Sequence, residues 1–121
     1  MFLATLNQPN QLLHLNYIGH VTPEELRRGG EDIQAMLADL KPGFRVLADF
    51  GRLDSMDIAC MTEIGRVMEK MDRGGVGLLV RLIPDPTKDI GLDILTLFHY
   101  RRQPRVVTCK SAAEAFKKLS L

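Results

Sequence analysis

The stretch that decides the fold runs from Arg45 to Met71 and reads RVLADFGRLDSMDIACMTEIGRVMEKM. Its first part, from Val46 to Phe50, is nearly continuous in apolar residues, which is typical of a central strand covered on both faces. Its last part repeats apolar residues at three- and four-residue steps, which predicts an amphipathic helix with Ile58, Met61, Ile64, Gly65, Val67, Met68 and Met71 on one stripe. The polar segment from Phe50 to Asp57 is predicted to be the turn between them, and it is the first place to look for a functional site.

The composition fits one soluble domain covering residues 1–121. A chain of 121 residues can bury a single core, and its formal net charge of +1 gives no overall bias toward nucleic acid or an anionic membrane. The basic residues are nevertheless concentrated near the end of the chain, at Arg101, Arg102, Arg105, Lys110, Lys117 and Lys118. This basic region is either a solvated face or a binding patch, and no nucleic-acid recognition motif accompanies it.

The two cysteines and the lack of targeting signals indicate a reduced compartment. Cys60 and Cys109 are far apart and do not form a metal-binding pair. No secretory signal opens the sequence, and no apolar run approaches the length needed to span a bilayer. We therefore expect a cytoplasmic protein with free thiols and no membrane insertion.

Before the central stretch, the pattern predicts a hairpin followed by a helix. The strands are Phe2–Leu6 and Leu12–Val21, with turn-forming residues between them. Thr22 and Glu25 form a capping box around Pro23, which marks a helix start. The adjacent glycines at 29–30 are unfavourable in a helix, so they indicate either close packing on the sheet or a local kink.

After the central stretch, strands and helices alternate. A strand is predicted at Val76–Ile83, and Asp85 with Pro86 opens a helix with Ile90, Ile94, Leu95, Leu97 and Phe98 on its apolar side. A short strand, Arg105–Cys109, precedes a last helix capped by Ser111, with Ala112, Ala115, Phe116 and Leu119 as its inner face. The predicted order is ββαβαβαβα, an α/β fold with a mixed, mainly parallel sheet.

The carboxyl edge of this sheet is where a ligand or partner is expected. Right-handed crossovers bring the ends of the two central strands to the same edge, where open α/β sheets usually bind ligands. That edge is predicted to gather charged and nucleophilic side chains: Arg52, Asp54, Asp57, Cys60, Asp85, Lys88 and Asp89.

Individual residues at this edge have more than one interpretation. Asp57 is interpreted as the N-cap of the helix, a role that also allows contact with a partner. Cys60 is either a thiol whose pKa is lowered by the helix dipole or a small buried hydrophobe. The aspartates match no known metal-binding spacing, and His14, His20 and His99 form no triad-like signature, so neither catalytic residues nor metal or cofactor sites are predicted.

The segment VLADFGRLDSMDIACM, the order of elements and the Ser-Ala-Ala-Glu-Ala helix start resemble the STAS domain of sulfate transporters and anti-sigma factor antagonists. The resemblance covers nearly the whole chain and implies a STAS-like fold and docking to protein partners. In regulatory STAS domains a kinase-like anti-sigma factor phosphorylates a Ser or Thr just after the Asp. Here Met56 and Asp57 match the family pattern, but the acceptor position falls on Ala59, which has no hydroxyl. Ser55 and Thr62 lie nearby without matching that position.

Three hypotheses follow. The first is a non-enzymatic regulatory domain that docks to a protein, either an anti-sigma-factor-like kinase or another regulator, through Arg52, Asp54, Met56, Asp57, Ile58 and Ala59; self-association as a homodimer stays open. The second is a small-molecule or anion binder with Asp85, Lys88 and Asp89 as ligand contacts beside Arg52. The third is an enzyme or redox protein that uses Cys60.

Overall fold

The computed structural model describes residues 1–88, 96 and 99–120, with the backbone alone at Lys88. The strands are β1 (Phe2–Asn7), β2 (Leu12–Val21), β3 (Arg45–Met56), β4 (Leu78–Leu82) and β5 (Arg105–Cys109). The α-helices that lie wholly within these ranges are α1 (Pro23–Leu37), α2 (Cys60–Gly74) and α3 (Ala112–Leu119), and a 3₁₀ turn covers Pro86–Lys88. Thr96 and His99 are also helical. The helix predicted after Asp85 falls mainly on residues outside the described ranges.

The five strands form one sheet in the order β1-β2-β3-β4-β5. β1 pairs with β2 in an antiparallel hairpin, and every later neighbour is parallel. The predicted α/β class and the mixed, mainly parallel sheet are therefore confirmed. Among the described residues, no helix is long and apolar enough to cross a bilayer.

The start of α1 follows from its capping box. The N–H of Glu25 donates to Thr22 Oγ1 at 3.3 Å, and the N–H of Thr22 donates to Glu25 Oε1 at 3.3 Å. Pro23 occupies the first turn, where its missing N–H costs nothing. These contacts confirm the helix start predicted from the sequence.

One sheet face packs against α1 and α2, and the glycines of α1 allow the close approach. A Cβ on Gly29 would lie 2.2 Å from Cδ2 of the Phe2 ring. That ring packs on Tyr17 at a centroid distance of 4.9 Å, and Tyr17 stacks on Phe50 at 4.3 Å. Because α1 runs without interruption through both glycines, close packing rather than a kink explains Gly29.

The opposite sheet face is covered in part by α3, whose inner residues were predicted only partly correctly. Ala115 and Leu119 are fully buried against Val80 and Leu47 in a second core cluster. Ala112 and Phe116, which were predicted to face inward, are exposed. The short helix has a narrow inner stripe, so the residues at its flanks face solvent.

The predicted turn from Phe50 to Asp57 is wrong. β3 continues to Met56, because residues Ile18–Val21 of β2 are long enough to pair with it. The helix start was also placed too early: Ile58 precedes α2 and is 88% exposed instead of belonging to the buried stripe.

Candidate functional site

The far end of β3 contains two register shifts that decide which side chains meet. Asn16 pairs with Asp49 but Ile18 pairs with Arg52, and Gly19 pairs with Leu53 but His20 pairs with Ser55. Each shift gives β3 one extra residue, which is the signature of a β-bulge. Since one extra residue exchanges the two faces of a strand, the second bulge sets Ser55 beside His20.

His20 contacts both Ser55 and Asp57. Its Nδ1 lies 2.7 Å from Ser55 Oγ, and its Nε2 lies 3.2 Å from Asp57 Oδ1. The side chains of His20 and Asp57 are each about half exposed. The three residues thus form a polar relay at the surface, next to the start of α2.

Asp57 is not the helix cap that the sequence predicted. Ala59 is the N-cap of α2 and makes no side-chain cap bond. The carboxylate of Asp57 lies against His20 instead, while its backbone carbonyl accepts from the N–H of Cys60 at 2.9 Å. The prediction failed because the position of His20 across the sheet cannot be read from local sequence.

The segment between β3 and α2, from Asp57 to Ala59, is held at both ends; we call it the β3–α2 turn. The N–H of Asp57 donates to the carbonyl of Val21 at 3.4 Å, and the N–H of Met61 donates to the carbonyl of Ile58 at 3.1 Å. The thiol of Cys60 also donates to the Val21 carbonyl at 3.4 Å. The turn is therefore tied to the end of β2 before any partner binds.

Cys60 is a buried thiol. Its side chain is fully buried, and burial raises its pKa, with the nearby Asp57 carboxylate acting in the same direction. Of the two interpretations of Cys60, the structure supports the small buried hydrophobe, because loss of hydration and the neighbouring carboxylate both raise the thiol pKa. The hypothesis of Cys60-based chemistry therefore loses its main premise.

The six residues predicted to dock a partner differ in exposure. Ile58 is 88% exposed, Arg52, Asp54, Asp57 and Ala59 are also exposed, and Met56 is half-buried. Ile58 is the most exposed large hydrophobic side chain among the described residues, although single exposed apolar side chains are common on protein surfaces. We call these six residues the Ile58 surface.

The acidic loop after β4 lies at a different place. Asp85 Oδ1 accepts from the N–H of Thr87 at 3.0 Å and from its hydroxyl at 2.8 Å, so this carboxylate organises a tight turn. The Cγ of the neighbouring Pro84 would lie 3.9 Å from a Cβ built on Gly51, so the start of the loop is beside Gly51. The extended strand from Gly51 to Met56 spans roughly 15 Å, which separates this position from the β3–α2 turn. The loop therefore starts beside the middle of β3, nearer Arg52 than Ile58; Asp89 and the Lys88 side chain lie outside the described residues.

Several pockets lined by described residues lie away from the Ile58 surface. One of about 360 Å³ is lined by Thr96, Tyr100, Gln103 and Pro104. Another of about 170 Å³ lies between α1 and α2, with the buried Glu63 carboxylate between Arg27 and Arg66. Within the described ranges, no group of three or more His, Cys, Asp or Glu side chains is placed to hold a metal ion.

Comparisons with known proteins identify the fold. No family model matches the chain, and no curated protein matches its sequence. Among solved structures, the unphosphorylated anti-sigma factor antagonist SpoIIAA matches with a TM-score of 0.67 and 14% identity, over 99% of this chain and 98% of that one. Phosphorylated SpoIIAA, a Bacillus cell fate determinant, matches with a TM-score of 0.63 and 15% identity, over 98% and 99%.

A third matching structure is that of a protein from Shewanella loihica. It is an uncharacterized DUF3478-family protein with a SpoIIAA-like fold, and it matches with a TM-score of 0.72 and 13% identity over 98% of this chain and 92% of that one. At these identities the comparisons establish the fold and no more. The chain has a SpoIIAA-like, divergent STAS-like fold, as the sequence resemblance predicted.

Proposed function

We propose that this chain is a non-enzymatic regulatory domain that binds a protein partner through the Ile58 surface. A regulatory role is supported by the fold, which this chain shares with the anti-sigma factor antagonist SpoIIAA. The observation that carries the proposal is Ile58 itself, which is 88% exposed. It lies on a turn tied to β2 by one backbone bond, from the N–H of Asp57 to the Val21 carbonyl, and by the thiol of Cys60.

The energetics favour a docking role for this residue. Burying an isoleucine side chain contributes about 1.5 to 3 kcal/mol relative to leaving it in water. Because the β3–α2 turn is already tied down, binding costs little additional ordering of the backbone. Asp54 and Asp57, which precede Ile58 in the chain, are exposed charged residues, and a polar rim beside an apolar contact is typical of protein interfaces.

The partner is an anti-sigma-factor-like kinase or another regulatory protein in a cytoplasmic setting. Ala59 occupies the position of the STAS phosphoacceptor and offers no hydroxyl, so in this proposal binding is not switched by phosphorylation there. The alternative role as a small-molecule or anion binder through Asp85, Lys88 and Asp89 has weaker support, because Asp85 is already engaged with Thr87.

The test compares two exposed apolar residues on opposite sides of the sheet. Native protein, Ile58→Asp and Phe116→Asp are used as baits in the source lysate; Phe116 is 47% exposed on α3 and serves as the matched control. Partners recovered by native protein and Phe116→Asp but lost with Ile58→Asp support the proposal. Equal recovery by all three baits contradicts it.

A further inference from the structure

The relay of Ser55, His20 and Asp57 has the parts of an activated hydroxyl. Ser55 Oγ lies 2.7 Å from His20 Nδ1, a distance typical of a strong O–H···N contact. On the other side of the ring, Asp57 Oδ1 lies 3.2 Å from Nε2. A nucleophile, a base and a group that orients the base therefore lie in line, as nucleophilic catalysis requires.

The partners of the ring assign its tautomer. An ionised carboxylate can only accept, so Asp57 favours the proton on Nε2. That leaves the lone pair of Nδ1 facing Ser55, whose hydroxyl can donate to it. His20 is thus oriented to take a proton from Ser55.

The backbone holds this arrangement in place. His20 and Ser55 are direct neighbours in the parallel pairing of β2 and β3, and the bulge just before Ser55 creates that pairing. Bulges commonly redirect a side chain toward a functional site. Gly19, immediately before His20, has φ +63°, a conformation that other residues adopt only with strain.

We propose that Ser55 is a nucleophilic modification site that accepts an acyl group from a neutral activated ester. Ser55 Oγ forms the new bond to the carbonyl carbon while His20 Nδ1 takes the hydroxyl proton. The bond from that carbon to the leaving oxygen then breaks, and the proton on His20 passes to the leaving group. The products are O-acyl-Ser55 and the released alcohol or phenol, so no further reactant is needed.

The charge of the relay favours a neutral donor over an anionic one. The Asp57 carboxylate stands on the far side of the ring that touches Ser55, and it repels the charged groups of a phosphoryl donor. A neutral ester meets no such repulsion. The step is stoichiometric and does not depend on the proposed docking function.

The test uses p-nitrophenyl acetate on the full folded chain, followed by peptide mass spectrometry. Ser111 is the internal control, because it is also an exposed serine but its Oγ serves as a helix cap for Glu114. General-base assistance contributes about 10²-fold or more, so acetylation of Ser55 is expected to exceed that of Ser111 by about this factor. His20→Gln should lower the Ser55 rate to that of Ser111.

Two variants of Asp57 distinguish a role in activating Ser55 through His20 from a role in folding alone. Asp57→Asn should slow Ser55 acetylation and Asp57→Glu should restore it, while circular dichroism shows that each variant remains folded. Equal acetylation of Ser55 and Ser111 in the native protein would overturn the proposal. So would an unchanged Ser55 rate in folded His20→Gln, or acetyl groups found on His20 and not on Ser55.

Discussion

Replacing each of the two adjacent glycines of α1 by alanine should change stability in opposite directions. In a helix, Gly→Ala stabilises by about 1 kcal/mol through backbone entropy. At Gly30 the new Cβ would meet Lys70 Nζ at 3.5 Å and Val67 Cγ2 at 3.8 Å, which are ordinary contacts. Gly30→Ala should therefore raise the free energy of unfolding by up to about 1 kcal/mol.

At Gly29 the same methyl group has no space. Its Cβ would lie 2.2 Å from Phe2 Cδ2 and 2.3 Å from Cε2, and the ring cannot retreat freely because it packs on Tyr17. Overpacking of this kind costs about 1 to 3 kcal/mol, which exceeds the entropic gain. Gly29→Ala should therefore lower the free energy of unfolding by about 1 kcal/mol, because the cost of overpacking exceeds the gain in backbone entropy by about that amount.

Urea unfolding measures this difference. The two variants should differ by about 2 kcal/mol, or roughly 1 M in urea midpoint for a slope near 2 kcal/mol/M. A smaller side chain at position 2 should remove the penalty, so Gly29→Ala should cost less in a Phe2→Leu background. If Gly29→Ala and Gly30→Ala stabilise equally, the packing of Phe2 on α1 is not as described.

Two further predictions concern buried ionisable groups. Because burial raises the pKa of both Cys60 and Cys109, neither thiol should react with Ellman's reagent in folded protein at neutral pH, while both should react in denaturant; rapid labelling of the folded chain would contradict this. Burial also raises the pKa of Tyr100 above its ordinary range, so the folded state keeps a proton that the unfolded chain loses above about pH 10, and stability falls by about 1.4 kcal/mol per pH unit for this group. The stability of Tyr100→Phe relative to native protein should therefore improve by about 1.4 kcal/mol between pH 8 and pH 11, as measured by urea unfolding at both values; a constant difference would contradict it.

Local signals in the sequence were sufficient for most elements. The capping residues Thr22 and Ser111 mark the starts of α1 and α3, because each accepts a bond from a residue three positions later. The strand Arg105–Cys109 has the predicted bounds. Such features depend on neighbours a few residues away, so they can be read without knowing the fold.

The errors are concentrated where pairing across the sheet decides the structure. The extension of β3 depends on β2 being long enough to pair with it, and only the apolar Leu53 between polar neighbours hinted at a strand. The contact of His20 with Ser55 spans 35 residues and requires two bulges. No local pattern encodes that register. The sequence therefore predicted that Asp57 is the N-cap of the helix and gave no sign of its contact with His20.

The most direct test of the account is a calorimetric titration of the partner recovered by the native protein. Burial of an isoleucine side chain at an interface contributes about 2 kcal/mol, so Ile58→Asp should raise the dissociation constant about 30-fold. Phe116→Asp should bind as the native protein does. If Ile58→Asp, folded by circular dichroism, binds with native affinity, the Ile58 surface is not the docking site.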